Sequence, residues 1–132
     1  MSPVAIAVAV ILRAGKVLVA RRSSGSVLGG LWEFPGGKIE AGESAAQAAV
    51  RECREELGCE ARALRDLGSV HHQYDDFGVR LHAVLCELSP NEEPRPLASD
   101  ALQWVALEEL ATLPIPEPNH ELIAMIASAL RQ

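Results

Sequence analysis

Apolar positions along the chain fall into short runs, which predict strands, and into spaced stripes, which predict helices. Continuous apolar runs at residues 4–12 and 17–20, joined across Ala14-Gly15, predict a β-hairpin. Further strands are predicted at 67–72, 79–88 and 102–105. Loops are predicted at 33–38, where two glycines are paired, and at 89–99, which holds three prolines. A helical turn at 107–110 and a helix at about 119–130 complete the pattern.

The segment between the second and third strands predicts the best-defined helix. Ser44 followed by Gln47 forms a capping box, and Gly58 suits the left-handed position after the last helical residue. At 100° per residue one face of this helix is apolar. That stripe consists of Ala46, Ala49, Val50, Cys53 and Leu57. The final helix has its own packing stripe of Leu122, Ile123, Ile126 and Leu130.

Three carboxylates lie on the opposite face of the first helix, within one turn. Glu52, Glu55 and Glu56 stand at i, i+3 and i+4, and like charges at those spacings destabilise a helix by roughly 0.2–0.5 kcal/mol per pair. A divalent cation among them would reverse the sign of that cost. The cluster therefore indicates a site for a hard metal ion.

Length and element order predict one α/β domain spanning residues 1–132. The chain has 132 residues, of which 48% are hydrophobic, enough for one core and too few for two ordinary domains. A hairpin followed by a helix, more strands and a second helix predicts an α/β/α sandwich with a mixed β-sheet.

Charge and cysteine content narrow the classes of partner. A net charge of −6 argues against a nucleic-acid polymer, whose binders usually carry a basic face. No apolar run reaches the roughly 18 residues that a membrane span needs, and the first residues do not resemble a secretory signal. The three cysteines show no metal-binding spacing, and an odd number cannot all pair, so a reducing, cytoplasmic location is expected.

A longer motif surrounds the carboxylate cluster, over residues 37–59. It reads Gly37, five residues, Glu43, seven residues, then Arg51-Glu52-Cys53-Arg54-Glu55-Glu56-Leu57-Gly58-Cys59. This pattern resembles the Nudix box, the defining motif of the Nudix hydrolases. All its fixed positions match, and only Cys53 and Cys59 replace the bulky aliphatic residues that the family prefers. The resemblance implies the Nudix fold, in which a loop-helix-loop motif carries the catalytic groups.

Segments outside the box resemble the MutT branch of that family, which includes 8-oxo-dGTP diphosphatases. These are the stretch from Leu31 to Glu40, the Pro116-Glu117-Pro118-Asn119 segment, and an arginine at the end of the second strand. The resemblance implies substrate contacts from Arg22, Glu33, Phe34, Lys38 and Asn119. Each also has a structural interpretation: Asn119 could be the N-cap of the last helix, Phe34 a core residue, and Arg22 a solvated strand end.

What the resemblance implies is Mg²⁺-dependent hydrolysis of a nucleoside triphosphate to a monophosphate and pyrophosphate, with Mn²⁺ as a possible substitute. Glu52, Glu55, Glu56 and the Gly37 carbonyl are the expected metal ligands. Glu43 would orient the cluster or a water molecule, and Arg51 would hold the carboxylates through paired hydrogen bonds. Which carboxylate accepts the proton stays open, as does the choice between a monomer and a homodimer.

Four alternatives stay open for function and one for the site. The substrate could be an oxidised nucleotide such as 8-oxo-dGTP, CTP or a modified pyrimidine triphosphate, or another nucleoside-diphosphate-linked compound. In a different class, the domain could bind nucleotides without catalysis. At the site, alignment on Trp104 puts Ala98 where MutT-like enzymes often carry an additional Glu, so that Asp100 could replace that residue only if the loop is shifted.

Overall fold

The computed structural model describes residues 3–25, 29–116 and 118–131, which form seven strands and three helical segments. Within these ranges, no helix has the length and apolarity required to cross a membrane. The elements in chain order are β1 (Val4–Arg13), β2 (Lys16–Arg21), β3 (Trp32–Glu33), β4 (Gly36–Lys38), α1 (Ala45–Leu57), β5 (Ala61–Gln73), β6 (Gly78–Leu88), β7 (Ala101–Ala106), a 3₁₀ helix (Leu107–Thr112) and α2 (Pro118–Leu130).

The strands form one mixed sheet in the order β3-β2-β1-β6-β5, with β4 on β1 and β7 on β2. β1 and β6 are parallel, and the other pairs are antiparallel. Helix α1 packs against β1, β5 and β6, whereas α2 packs mainly against β5. Two separate clusters of buried apolar residues accompany the two helices. The α/β architecture expected from the element order is confirmed.

β1 and β2 form the expected hairpin but separate almost at once. Ala14 and Gly15 both have positive φ, 52° and 79°, as a tight hairpin turn requires. Only Leu12 and Arg13 of β1 then pair with β2. Further along, β4 pairs with β1 and β3 pairs with β2, so that segment 32–38 enters the gap between the diverging strands.

The prediction of a loop at 33–38 is therefore wrong at its ends. β3 and β4 flank a bend at Phe34-Pro35, where the Pro35 carbonyl accepts a 2.8 Å hydrogen bond from the Ala9 N–H. A Cβ on Gly36 would collide with the carbonyl oxygen of Ala7. The paired glycines thus serve a close backbone approach to β1 as well as a turn.

Helix α1 confirms the predicted caps and corrects part of the predicted apolar stripe. The Ser44 hydroxyl accepts from the Gln47 N–H, the reciprocal bond is present, and Gly58 is left-handed with φ 68°. Ala48, which the helical wheel places beside the glutamates, is fully buried with Ala49, Cys53 and Leu57. Ala46 and Val50 are only half-buried.

Strand β5 is longer than the predicted 67–72. The prediction is too short because the apolar pattern of this strand is irregular. It pairs with β6 over its whole length, with register shifts between Ala63 and Arg65 and between Asp66 and Gly68. A bulge shifts the side-chain alternation by one residue, and most of this edge strand is exposed. An apolar period of two is therefore absent from the sequence of β5. The other predicted strands and the last helix agree with the structure to within about two residues.

Candidate active site

Arg51 on α1 is the centre of a charged network at the N-terminal side of the motif. Its Nε donates to Glu43 at 2.7 Å, and its Nη1 donates to Glu52 at 2.9 Å and to Glu55 at 3.1 Å. Its Nη2 donates to the Lys38 carbonyl at 2.9 Å and again to Glu43 at 3.1 Å. One guanidinium thus ties the loop after β4 to two successive turns of the helix.

The bonds between Glu43 and Arg51 favour the charged form of each. The Arg51 hydrogen bonds and a bond from the Glu40 N–H hold the pKa of the Glu43 carboxyl below its ordinary value. Glu43 in turn raises the pKa of Arg51. Charge-assisted bonds of this kind are short and directional, so the geometry around Arg51 is well defined before any ligand is bound.

Glu52 and Glu56 lie one turn apart and form a close carboxyl pair. The Glu52 side chain is 13% exposed, whereas that of Glu55 is 56% exposed. Burial, followed by a hydrogen bond with Glu52, raises the pKa of Glu56 to about 8, although the Gly36 N–H donates to it. At neutral pH the Glu56 carboxyl is therefore mostly protonated, and the pair holds a proton that a cation could replace.

Gly37 lies directly against the Glu52 side chain of this pair. A Cβ at Gly37 would come within 2.5 Å of the Glu52 Cδ, so only glycine lets the β4 backbone approach the carboxylate this closely. Two adjoining carboxyl groups beside a backbone turn offer the oxygen donors that Mg²⁺ prefers. Among the described residues, no three His, Cys, Asp or Glu side chains are already grouped so that they could hold a metal ion by themselves. The donor set nevertheless fits a cation that is also coordinated by substrate oxygens and water.

A cavity of about 410 Å³ opens beside Gly36 and Gly37, on the face of the sheet that carries α2. Four of the five predicted substrate contacts line it: Arg22, Glu33, Phe34 and Asn119. Arg22 donates to Glu33 at 2.8 Å. Lys38 is exposed at the end of β4, outside the described lining, and its carbonyl rather than its side chain joins the network.

The surroundings of Phe34, Asn119 and Arg22 decide among their structural interpretations. Phe34 is both a buried member of the core under α2 and part of the cavity wall. Asn119 is not the helix N-cap, because α2 already begins at Pro118; its N–H donates to the Pro116 carbonyl at 2.9 Å. Arg22 is paired rather than solvated.

Asp100 has a partner on a neighbouring loop. Its carboxylate accepts a 3.1 Å hydrogen bond from the Ser24 N–H, and its own N–H donates to the Arg21 carbonyl at 3.0 Å. These bonds join the start of β7 to the end of β2. The position of Asp100 therefore favours a structural role over a replacement ligand.

Sequence reasoning missed three aromatic residues of the cavity wall, His72, Tyr74 and Phe77. They flank a turn at Asp75-Asp76, where the Tyr74 N–H donates to the Phe77 carbonyl at 2.8 Å. Two aromatic residues on either side of a turn between predicted strands were the available signal. Their distance in sequence from the motif concealed their proximity to it in space.

Comparison with known proteins agrees with this geometry. The NUDIX domain family model matches residues 7–125. The chain is 45% identical over 83 residues to the CTP pyrophosphohydrolase of Escherichia coli, covering 63% of this chain and 62% of that protein. It is 40% identical over 104 residues to the putative 8-oxo-dGTP diphosphatase 2 of Mycobacterium tuberculosis, covering 76% of this chain and 71% of that protein.

Among solved structures, the Escherichia coli ORF135 protein superimposes with a TM-score of 0.84 at 35% identity, covering 97% of this chain and 91% of that one. The match to the CTP pyrophosphohydrolase spans less than two thirds of that enzyme's length. The family model covers the carboxyl pair, Gly37, the Arg51 network and nearly all of the cavity lining. Fold, motif and sequence matches agree, and the chain belongs to the Nudix hydrolase family.

Proposed function

We propose that this protein is a divalent-metal-dependent nucleoside triphosphate pyrophosphohydrolase that acts on altered nucleotides such as 8-oxo-dGTP. The observation that carries the proposal is the contact between the Glu52–Glu56 pair and Gly37, at the edge of a cavity large enough for a base. A phosphate chain bound at Gly37 would extend from the carboxyl pair to a base in the cavity. Relatives bearing the name 8-oxo-dGTP diphosphatase support the substrate class.

In this proposal each group of residues has a distinct task. Glu52 and Glu56 would hold Mg²⁺ or Mn²⁺ with the Gly37 carbonyl, and Glu55 would complete the oxygen ligands from a more exposed position. A bound cation would neutralise phosphate charge and lower the pKa of an attacking water molecule. Arg51 and Glu43 would keep the carboxylates oriented through the observed bonds.

The cavity residues would position the nucleoside. Asn119 has a side-chain amide that can both donate to and accept from a base edge, and Phe34 offers an aromatic face beside Gly36. The Arg22–Glu33 pair provides a cation and an anion at the same wall. Orienting the substrate in this way would bring one phosphorus atom close to the metal-binding carboxylates. Positioning of this kind, together with electrostatic stabilisation, supplies most of the rate enhancement in phosphoryl transfer.

The decisive experiment measures pyrophosphate release from nucleoside triphosphates with and without Mg²⁺. We expect metal-dependent turnover that Glu52→Gln and Glu56→Gln each reduce by at least about 100-fold, since both remove a charge from the expected metal site. Glu108→Gln, an exposed glutamate on the 3₁₀ helix, is the matched control. Near-normal turnover in both site variants would refute the assignment. Nucleotide binding without turnover would instead indicate a non-catalytic module.

CTP is a second candidate substrate, favoured by the 45% identity to a CTP pyrophosphohydrolase. Comparing kcat/KM for 8-oxo-dGTP, dGTP and CTP separates the two candidates. Preference for 8-oxo-dGTP that Asn119→Ala abolishes would support removal of oxidised nucleotides. Equal rates on oxidised and normal guanine substrates would exclude it.

A further inference from the structure

Residues 89–97, which we call the strap, are bonded to the C-terminal end of α1. The Leu97 N–H donates to the Glu56 carbonyl at 3.1 Å, and the Arg95 N–H donates to the Leu57 carbonyl at 2.9 Å. The last carbonyl groups of a helix have no partner within the helix itself. A distant segment of the chain thus completes the hydrogen bonding of the turn that carries Glu56.

The sequence of the strap suits these two bonds. Pro94 and Pro96 alternate with Arg95 and Leu97, so residues that lack an N–H alternate with the two that donate. Each proline also restricts its own φ and keeps the residue before it extended. A backbone with fewer accessible conformations loses less entropy when it becomes ordered. The prolines therefore favour formation of both bonds to α1.

The other end of the strap is fixed to the sheet through Arg13, the last residue of β1. Its Nη2 donates to the Ser89 carbonyl at 3.1 Å and to the Glu92 carbonyl at 2.9 Å. The Arg13 guanidinium also lies over the ring of Trp104 in β7, 5.3 Å from its centroid. The strap thus connects two strands of the sheet to the end of α1.

These contacts restrain Glu56 from two sides. The Gly36 N–H and Glu52 form hydrogen bonds with its carboxyl group, whereas Leu97 binds its carbonyl. Helix ends fray readily, and ligands of a metal site must stay within about 0.5 Å of a productive position. A carboxylate in the last turn of a helix therefore needs a restraint on its backbone from outside the helix.

We propose that the strap is a positioning element of the proposed metal site, in which the Leu97 and Arg95 N–H groups hold the last turn of α1 and so place Glu56. This inference rests on the role of Glu56 in the proposed function and extends the site to a loop outside the motif. The Leu97 side chain is 53% exposed, so its burial does not account for the order of the strap. The strap acts through its main chain.

Replacing one N–H by an ester oxygen tests this bond without changing a side chain. The α-hydroxy analogue of leucine at position 97, introduced by nonsense suppression, removes the donor to Glu56. The same change at Ala98 is the matched control, because the Ala98 N–H donates to no residue that the structure describes. Binding of Mn²⁺ alone is measured by electron paramagnetic resonance, which detects the free ion and does not depend on turnover.

The ester at Leu97 should weaken Mn²⁺ binding by about tenfold, as loss of a group that orients a metal ligand commonly does, and the ester at Ala98 should change it by less than about twofold. The Gly58 N–H, which donates to the Arg54 carbonyl at 3.1 Å, should exchange with solvent faster in the Leu97 ester. Ile126→Ala, in the core on the α2 side of the sheet, is the control for lowered stability and should retain Mn²⁺ affinity while folded.

Two results would overturn the strap as a positioning element. Equal Mn²⁺ affinity in the two esters would mean that the bond to Glu56 does not affect the site. Equal weakening in Ile126→Ala would mean that general loss of stability is the cause. If the unmodified protein still releases pyrophosphate with Mg²⁺, either result refutes the strap alone. Weaker Mn²⁺ binding in the Leu97 ester of a protein that releases no pyrophosphate would support the strap while refuting the proposed hydrolase.

A conventional substitution tests the other end of the strap. Arg13→Met keeps an unbranched side chain over Trp104 but removes the donors to the Ser89 and Glu92 carbonyls. In the described structure Arg13 forms no hydrogen bond or ion pair with Glu56, so an effect on the site must pass through the strap. We expect weaker Mn²⁺ binding, by a smaller factor than in the Leu97 ester. Affinity equal to that of the unmodified protein, with folding verified by thermal melting, would refute a strap that acts from both ends.

Discussion

Binding of a divalent cation to the Glu52–Glu56 pair should release a proton, and the number released should fall as pH rises. With the pKa of Glu56 raised to about 8 by burial and by Glu52, most molecules carry this proton at pH 7 and few carry it well above pH 8. A cation displaces the proton because both carboxyl groups must be charged to coordinate it.

Isothermal titration calorimetry with Mg²⁺ or Mn²⁺ measures this release directly. The observed enthalpy is recorded at one pH in several buffers of different ionisation enthalpy, and the slope gives the number of protons released. We expect a slope close to one proton at pH 7 that declines to a small fraction at pH 9. Glu56→Gln, which cannot ionise, should give a slope near zero at every pH.

The metal-free protein should show the same linkage in its stability. A carboxyl whose pKa is raised on folding keeps its proton in the native state and loses it in the unfolded state between pH 4.5 and about 8. This group therefore contributes stability at low pH that is lost as pH rises to about 8. In the calorimetric titration, a slope of zero protons released at pH 7, or a slope that grows with pH, would refute the argument that the pair is protonated.

Three further predictions concern other parts of the structure. Gly37→Ala should lower kcat/KM by about 100-fold, because its Cβ would displace the Glu52 carboxylate; Gly25→Ala, where a Cβ meets no atom within 4 Å, should leave steady-state kinetics unchanged. Arg51→Lys should lower activity, because lysine cannot reproduce the paired bonds to Glu43, and adding metal to saturation should not restore it. Ile126→Ala should reduce the free energy of unfolding by about 2–5 kcal/mol in urea, whereas loss of less than about 1 kcal/mol would show that the core under α2 repacks.

Local signals in the sequence were sufficient to predict helix α1 and the charged face that it presents. Ser44, Gln47 and Gly58 act on their immediate neighbours, so their spacing defines the helix ends without tertiary information. The same holds for Glu52 and Glu56, which one helical turn brings together. The Arg51 network can be predicted because all its partners lie within one continuous motif, residues 37–59.

Features that depend on contacts between distant segments could not be predicted in this way. β3 and β4 exist only because the diverging β1 and β2 offer free edges on either side of residues 32–38. The burial of Ala48 reflects the packing of α1 on the sheet rather than the helical wheel. His72, Tyr74 and Phe77 reach the cavity through the length of β5 and β6, and bulges in β5 conceal that length in the sequence.

The thiols beneath α1 offer a way to follow unfolding. Cys53, Cys59 and Cys86 are all buried in the cluster on that side of the sheet, and burial raises the pKa of Cys86 to about 11. A thiol that is both enclosed and protonated reacts slowly with alkylating reagents. The rate of modification by such a reagent would therefore measure how often α1 separates from the sheet. Saturating Mg²⁺ should lower that rate if the cation binds on the opposite face of the same helix.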